Sequence, residues 1–407
     1  MRQVDVIRPG SMYQIIGPVA TLKRILNDRQ FFIENGVDIS VYNRGHFYQT
    51  LDQLMGDNKG ATMGGKKHCI KEWLDRKAKN SYLLSVALIE YKFRTIKKVV
   101  DAYLRLNRSP DIVVLHAEPE AYWLLKALKR RNRSIKIAVF FHNDCIPFQM
   151  YLLYYPKIKG TRYWKRMMAR YEYIVNNADK LCFICEAGLK NMNRFYPQSE
   201  NKSALIINGI TDLTSKELDN VKKIKSGRTD DKINLCCVGS VSIRKAQRKV
   251  IEAMSLLSEE NKDKYHLTIV GSGPDFINCK NMVNNEGMEH LVTFTGLVPN
   301  VDVYKYLAAS DVFLLLSENE GLPISIIEAM RAGLAVISTD VSGIPELVSN
   351  NNGVLIEPNP RKLAEILADG SNYDWKQMGR NSRQLFEQKF TFDRMRNDYV
   401  KMIDSLN

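Results

Sequence analysis

Two glutamates stand seven residues apart around a Gly-Leu-Pro turn, in Glu320-Gly321-Leu322-Pro323 and then Glu328. An apolar run, Val312 to Leu316, reads as a buried strand directly before them. Pro323 suits the first turn of a helix, where its missing N–H is not needed. Ile324, Ile327, Ala329 and Met330 then repeat at helical spacing. Glu320 therefore falls in the loop, and Glu328 about a turn and a half into the helix, roughly 8 Å along its axis. The free N–H groups between them form an anion site. An acid, a phosphate cradle and a second acid about a ribose-length away fit a nucleotide that carries a sugar.

A second loop offers the complementary charge. Gly239-Ser240-Val241-Ser242-Ile243-Arg244-Lys245 lies between an apolar strand, Ile233 to Val238, and a helix. A basic pair at that edge faces a diphosphate and steadies a leaving nucleotide as its charge grows. Gly271-Ser272-Gly273-Pro274 forms a tight turn after the next strand, and lacks the third glycine of a dinucleotide fingerprint. His116 and His142 each close a buried strand, Asp111 to Leu115 and Ile137 to Phe141. Polar side chains at strand C-termini mark the ligand edge of a parallel sheet. No Asp-x-Asp ends a strand and no cluster has metal spacing. The diphosphate would then be neutralised by Lys245, Arg244 and helix N-termini, without an obligatory metal.

From Ser317 to Val348 the chain resembles the E-x7-E signature of the retaining glycosyltransferases of family 4, within glycosyl transferases group 1. The likeness runs on through Ala332-Gly333, the strand Ala335 to Ser338, and Ser342-Gly343-Ile344-Pro345-Glu346. It implies the GT-B fold: α/β, two Rossmann-like domains facing a central cleft, with a C-terminal helix crossing back to the first. It implies that Glu320 contacts the donor sugar, that the N–H groups after it, from Gly321 and Leu322, hold the diphosphate, and that Glu328 binds the ribose. Lys245 matches the family's loop lysine beside Gly239. Ser240 stands where the family has Arg, and Ala246 where it has a second Gly; Arg244 is the candidate substitute, since a guanidinium reaches phosphate bidentately. Gly271 and Gly273 line the nucleotide pocket, and Gly296 and Leu297 touch the base, mostly through backbone. His142 matches a family position that hydrogen-bonds the donor sugar. His116 would face the acceptor, and Gly17 would let the N-terminal loop approach the diphosphate closely.

The rest of the chain must position these residues. Its 407 residues exceed what one core usually supports. Strands alternate with helices in both halves, as in a doubly wound parallel sheet. Residues 43–80 read as an irregular insertion or mobile loop. The polar stretch Asp212 to Lys232 reads as the linker. Expected domains are 1–212 for the acceptor, 230–388 for the nucleotide-sugar, and a crossover helix over 389–407. The seven cysteines, Cys182 and Cys185 among them, read as reduced thiols.

No window is long and apolar enough to span a membrane, and MRQVDVIRPG lacks the apolar core of a signal peptide. A cytoplasmic chain is expected. Its net charge is +14. Cations concentrate at Lys66, Lys67, Lys71, Arg76, Lys77 and Lys79, then Lys92 to Lys98, and again from Lys157 to Arg170. The last group is interleaved with Tyr151, Tyr154, Tyr155, Tyr163, Trp164 and Tyr171. Such segments suit an anionic membrane surface at the inner face, single-stranded nucleic acid, or a solvated helix face over core aromatics. No nucleic-acid motif accompanies them.

The expectation is a retaining, metal-independent glycosyltransferase of hexosyltransferase type. It would need no cofactor and would move a sugar, from UDP by family frequency, to a saccharide or lipid-linked acceptor in surface polysaccharide biosynthesis. The alternative is a non-catalytic partner subunit of the same fold, favoured only by Ser240. Nucleic-acid binding leaves the Ser317 to Val348 pattern unexplained.

Overall fold

Apolar runs that are buried on both faces build the strands of two parallel sheets. The computed structural model describes residues 1–10, 17–43, 45–56, 73–131, 135–228 and 231–406. The chain divides into two compact units, Met1–Ile206 with Arg396–Asn407, and Ile207–Met395.

The first unit holds β1 (Arg2–Ile7), β2 (Val37–Asn43), β3 (His46–Tyr48), β4 (Ile112–Leu115), β5 (Lys136–Phe141), β6 (Lys180–Phe183) and β7 (Ser203–Leu205). Their order is β3-β2-β1-β4-β5-β6-β7, parallel except for β3, which pairs antiparallel with β2. The second unit holds β8 (Ile233–Val238), β9 (Tyr265–Val270), β10 (Val292–Gly296), β11 (Val312–Leu315), β12 (Ala335–Thr339) and β13 (Gly353–Ile356). Their order is β10-β9-β8-β11-β12-β13, parallel throughout. Strand order reverses between β1 and β4 and between β8 and β11. Doubly wound sheets bind ligands outside the strand C-termini at such switch points. Arg8, His116 and His142 follow β1, β4 and β5; Gly239 and Glu320 follow β8 and β11.

The chain leaves the first unit at Ile206 rather than near 212, and what reads as a linker is a helix of the second unit, Ser215–Ser226. Thr214 caps it, its hydroxyl accepting from Glu217 N while the Glu217 carboxylate accepts from Thr214 N. Val221 and Ile224 pack with Leu213 against Tyr304 and Ala308. Two apolar side chains in a lysine-rich stretch suffice for a narrow buried stripe, which composition alone hides.

The expected insertion at 43–80 contains β3, a helix at Leu51–Gly56 and a helical turn over 73–78; residues 44 and 57–72, with Lys66, Lys67 and Lys71, lie outside the described residues. The final helix, Phe392–Asp404, begins in the second unit and ends in the first. There Tyr399 is fully buried, stacked on Phe140 and edge-on to Phe32. Cys145, Cys182, Cys185, Cys236, Cys237 and Cys279 are buried free thiols. Among the described residues no helix is long and apolar enough to cross a membrane.

Most aromatics of the basic segment are core. Tyr155, Tyr163 and Tyr171 are buried. Arg170, also buried, pairs with Glu90 at 2.8 Å and lies over the Phe93 ring. For the helix Arg162–Asn177 the reading of core aromatics beneath a solvated face therefore holds.

Candidate functional site

In the second unit, Glu320 closes the loop after β11 and is 8% exposed. Its Oε1 accepts from three donors: Arg244 Nη1 at 2.7 Å, Lys245 Nζ at 3.2 Å and Ser317 Oγ at 2.9 Å. Burial pushes its carboxyl up, but Lys245, Arg244 and Ser317 outweigh burial and hold it below the usual glutamate range. Arg244 Nη1 also donates to Asn319 O, and its carbonyl accepts from Glu318 N, so the two loops are stitched together. Thr339 Oγ1, at the end of β12, donates to Ser317 O and fixes the turn from behind.

Glycine is required where the β8 and β9 loops meet. A Cβ at Gly271, whose φ is +127°, would lie 2.1 Å from Gly239 O; one at Gly273 would lie 2.4 Å from Val241 O. Gln247, almost fully buried, bonds Ser242 N and Ser240 O and sets the basic loop's shape. Ala246, which replaces the family's glycine, caps the next helix in the left-handed region at φ 53° and is buried. That backbone costs an L-residue about 1 kcal/mol. Ala246→Gly should stay within about 0.5 kcal/mol of wild type, since relief of strain is offset by lost burial and a freer unfolded chain. Ala246→Val, β-branched at the same angles, should lose about 2 kcal/mol or more by thermal denaturation. Equal losses in both would show that packing, not backbone, sets this position.

The helix Ile324–Arg331 begins at Pro323 without a side-chain cap. Among the described residues the N–H groups of Gly321, Leu322, Ile324 and Ser325 have no backbone partner, and the buried Ser325 Oγ has no hydrogen-bond partner. Four N–H groups and a hydroxyl thus stand at a helix N-terminus beside two cations. Glu328 is half-buried on that helix. Ser240, in place of the family's arginine, is exposed, and Leu297 is 84% exposed.

In the first unit His116 and His142, expected to act separately, form one pair: His116 Nδ1 and His142 Nε2 are 2.9 Å apart and the rings stack. Burial and the nearby Arg8 push His142 down to about 3. Burial, then His142 and Arg8, hold His116 well below the usual histidine range. Two neutral imidazoles sharing one hydrogen bond leave one outer nitrogen as donor and the other as acceptor. Those outer atoms, His116 Nε2 and His142 Nδ1, have no hydrogen-bond partner among the described residues. The pair therefore carries one buried donor and one buried acceptor.

Three residues here went unnoticed in the sequence. Glu120, 1% exposed, accepts from His116 N at 3.1 Å, and burial pushes its carboxyl up to about 8. Glu118 is also raised by burial. Arg8 carries the charge felt by both histidines and by Glu120. Gly17 opens the helix Gly17–Asn27, while 11–16 before it lie outside the described residues. The structure thus groups Glu320, Arg244, Lys245 and Gly239 in one unit, and His116 and His142 in the other. Among the described residues no group of three or more His, Cys, Asp or Glu could hold a metal ion.

Residues 219–384 match the family described as glycosyl transferases group 1. The amylovoran biosynthesis glycosyltransferase AmsK of Erwinia amylovora is 31% identical over 143 residues, 33% of this chain and 35% of its own. The putative colanic acid biosynthesis glycosyltransferase WcaL of Escherichia coli is 29% identical over 185 residues, 43% of this chain and 45% of its own. The matched stretches span about a third to a half of these relatives' length. The crystal structure of HepE from Anabaena in complex with UDP superposes with a TM-score of 0.66 at 14% identity, covering 100% of both chains. At that identity the likeness shows the fold alone, and the fold is GT-B.

Proposed function

Because residues 219–384 belong to the glycosyl transferases group 1 family, we propose that this chain is a retaining glycosyltransferase using a UDP-sugar. Its acceptor is a saccharide or lipid-linked saccharide in surface polysaccharide assembly, at the cytoplasmic face of the membrane. The observation that carries this reading is the buried Glu320 held by Arg244 and Lys245 beside a helix N-terminus whose N–H groups have no backbone partner among the described residues. The UDP bound by HepE supports the choice of base, and the names of AmsK and WcaL support a place in polysaccharide biosynthesis.

In the proposed reaction the bond from the anomeric carbon to the diphosphate breaks as one to the acceptor hydroxyl forms on the same face. The departing phosphate oxygen takes the hydroxyl proton. Lys245, Arg244 and the N–H groups of Gly321, Leu322, Ile324 and Ser325 meet the charge that grows on the diphosphate. Glu320 holds the donor sugar and Glu328 the ribose hydroxyls. His142 and His116 bond sugar hydroxyls, of donor and acceptor respectively. No metal or cofactor enters.

Thermal-shift binding against UDP, GDP, ADP, TDP and CMP tests the donor site. UDP at a hundred times its dissociation constant should stabilise by about 2.7 kcal/mol. Glu328→Ala should weaken UDP about 10- to 100-fold, as expected for the loss of one hydrogen bond to a charged group. Selectivity for another diphosphate would reassign the base. No response to any would favour a non-catalytic partner subunit.

A further inference from the structure

The helix Tyr82–Arg105 buries Ser85, Ile89, Phe93 and Val100 against the core of the first unit. On its other side Leu83 is 77% and Tyr91 is 70% exposed, with exposed Ala87 between them. These positions, at i, i+4 and i+8, share one face with exposed Arg94 and Lys98 further along.

Two other segments add to this surface. Tyr155 is buried and acts as a hub: its hydroxyl donates to Asp75 Oδ1 and accepts from Lys92 Nζ, both at 2.9 Å. Lys92 also lies over the Tyr155 ring. Ser85 Oγ donates to Ala78 O, a second tie between the helix and residues 73–78. Trp73 at the start of that turn, and Leu153 and Tyr154 just before the hub, are 54%, 38% and 44% exposed. Five large apolar side chains thus stand in water on three segments bound to one residue. Single exposed apolar residues are ordinary; a cluster of them marks an interaction site.

The charge around the cluster has one sign. Arg76, Lys77, Arg94, Lys98, Lys157 and Lys159 form no ion pair among the described residues. The acids of the same segments are engaged: Asp75 by Tyr155, Glu90 by Arg170 and Tyr163, and Asp101 by Lys97. Apolar side chains within a cationic rim match a bilayer surface, where aliphatic and aromatic groups enter the headgroup boundary and cations meet lipid phosphates. Two copies joined through this face would set cation against cation. Nucleic acid would use the cations but offers little to Leu83 and Leu153.

We propose that this face of the first unit docks on an anionic lipid bilayer, with Trp73, Leu83, Tyr91, Leu153 and Tyr154 entering the headgroup layer. The surface stands on its own geometry. Only its use, bringing the protein to a lipid-linked acceptor, rests on the transferase reading.

Flotation of the full chain with phosphatidylcholine vesicles, with and without phosphatidylglycerol, tests it. Binding is expected only with phosphatidylglycerol, and should weaken as salt rises. Arg94→Gln and Lys98→Gln should each lower partitioning about fivefold. Leu83→Ser with Tyr91→Ser should lower it by more, with UDP binding and melting temperature unchanged because both side chains are exposed. Failure to float with anionic vesicles, or equal flotation of the double serine variant, overturns the proposal. So would a solution dimer that the serine substitutions dissociate, or tighter binding to a single-stranded oligonucleotide than to vesicles. Loss of UDP binding with flotation intact would instead sink the transferase reading and leave this surface standing.

Discussion

Glu320→Gln is expected to lower turnover about 10²- to 10³-fold, the size of losing one preorganised electrostatic contact, while affinity for UDP holds or rises. In the ligand-free protein one carboxylate oxygen gathers Arg244, Lys245 and Ser317. These are the same cations that the proposed reaction places on the diphosphate. An amide keeps the shape and can still accept from Ser317, but it no longer holds the cations by charge. They are then freer to meet phosphate, so binding of the product nucleotide should not suffer. In the proposed reaction the sugar then loses its charged acceptor, and a charge-assisted hydrogen bond is roughly twice as strong as a neutral one. Steady-state kinetics with isothermal titration of UDP separate the two effects. If UDP affinity falls in step with turnover, Glu320 serves only to hold the basic loop in place. The variant's melting temperature must be read alongside, since removing one partner of a buried ion cluster costs about 3 kcal/mol.

This prediction draws on features already readable in the chain. The apolar run before Ser317, the proline at the start of a helix and the acids at both ends of the cradle are local signals, and local signals survive folding. β8 lies at Ile233–Val238, as its apolar run and the following glycine suggest. Features that depend on distant residues meeting were not readable. His116 and His142 are 26 residues apart, and only the adjacency of β4 and β5 makes them one hydrogen-bonded pair. Glu120 looks like a solvated acid in the first turn of a helix, yet it folds beneath its own strand end. Ser325 looks like an ordinary helix serine until its lack of a partner is seen. The helix Ser215–Ser226 did carry a Thr-x-x-Glu capping signal, but its lysines dominated the composition and made it read as a linker.

The buried Glu120 leads to the second large effect: Glu120→Gln should stabilise the protein at alkaline pH, by about 5 kcal/mol at most. Burial raises this carboxyl from 4.5 to about 8, against partial relief from Arg8 and from the N–H groups of His116 and Ala117. Between those values the folded state keeps a proton that the unfolded state releases. Stability from this group is therefore greatest below the unfolded value and is lost as pH rises through the folded one. His142, pushed down to about 3, acts in the opposite sense: its contribution is present above 6.5 and is lost as pH falls. The two slopes oppose each other below 6.5, so over that range the wild-type curve alone will not reveal Glu120. The difference between wild type and Glu120→Gln does, because glutamine does not titrate and its carbonyl can still accept from His116 N. Melting temperatures measured across pH 5 to 9 should nearly coincide at the acid end. Glu120→Gln should then pull ahead through neutrality and hold a constant lead above about pH 8. A difference that stays flat over the whole range would mean that the carboxyl is ionised in the fold and paired with Arg8. The histidine pair would then sit beside a salt bridge instead of a neutral acid.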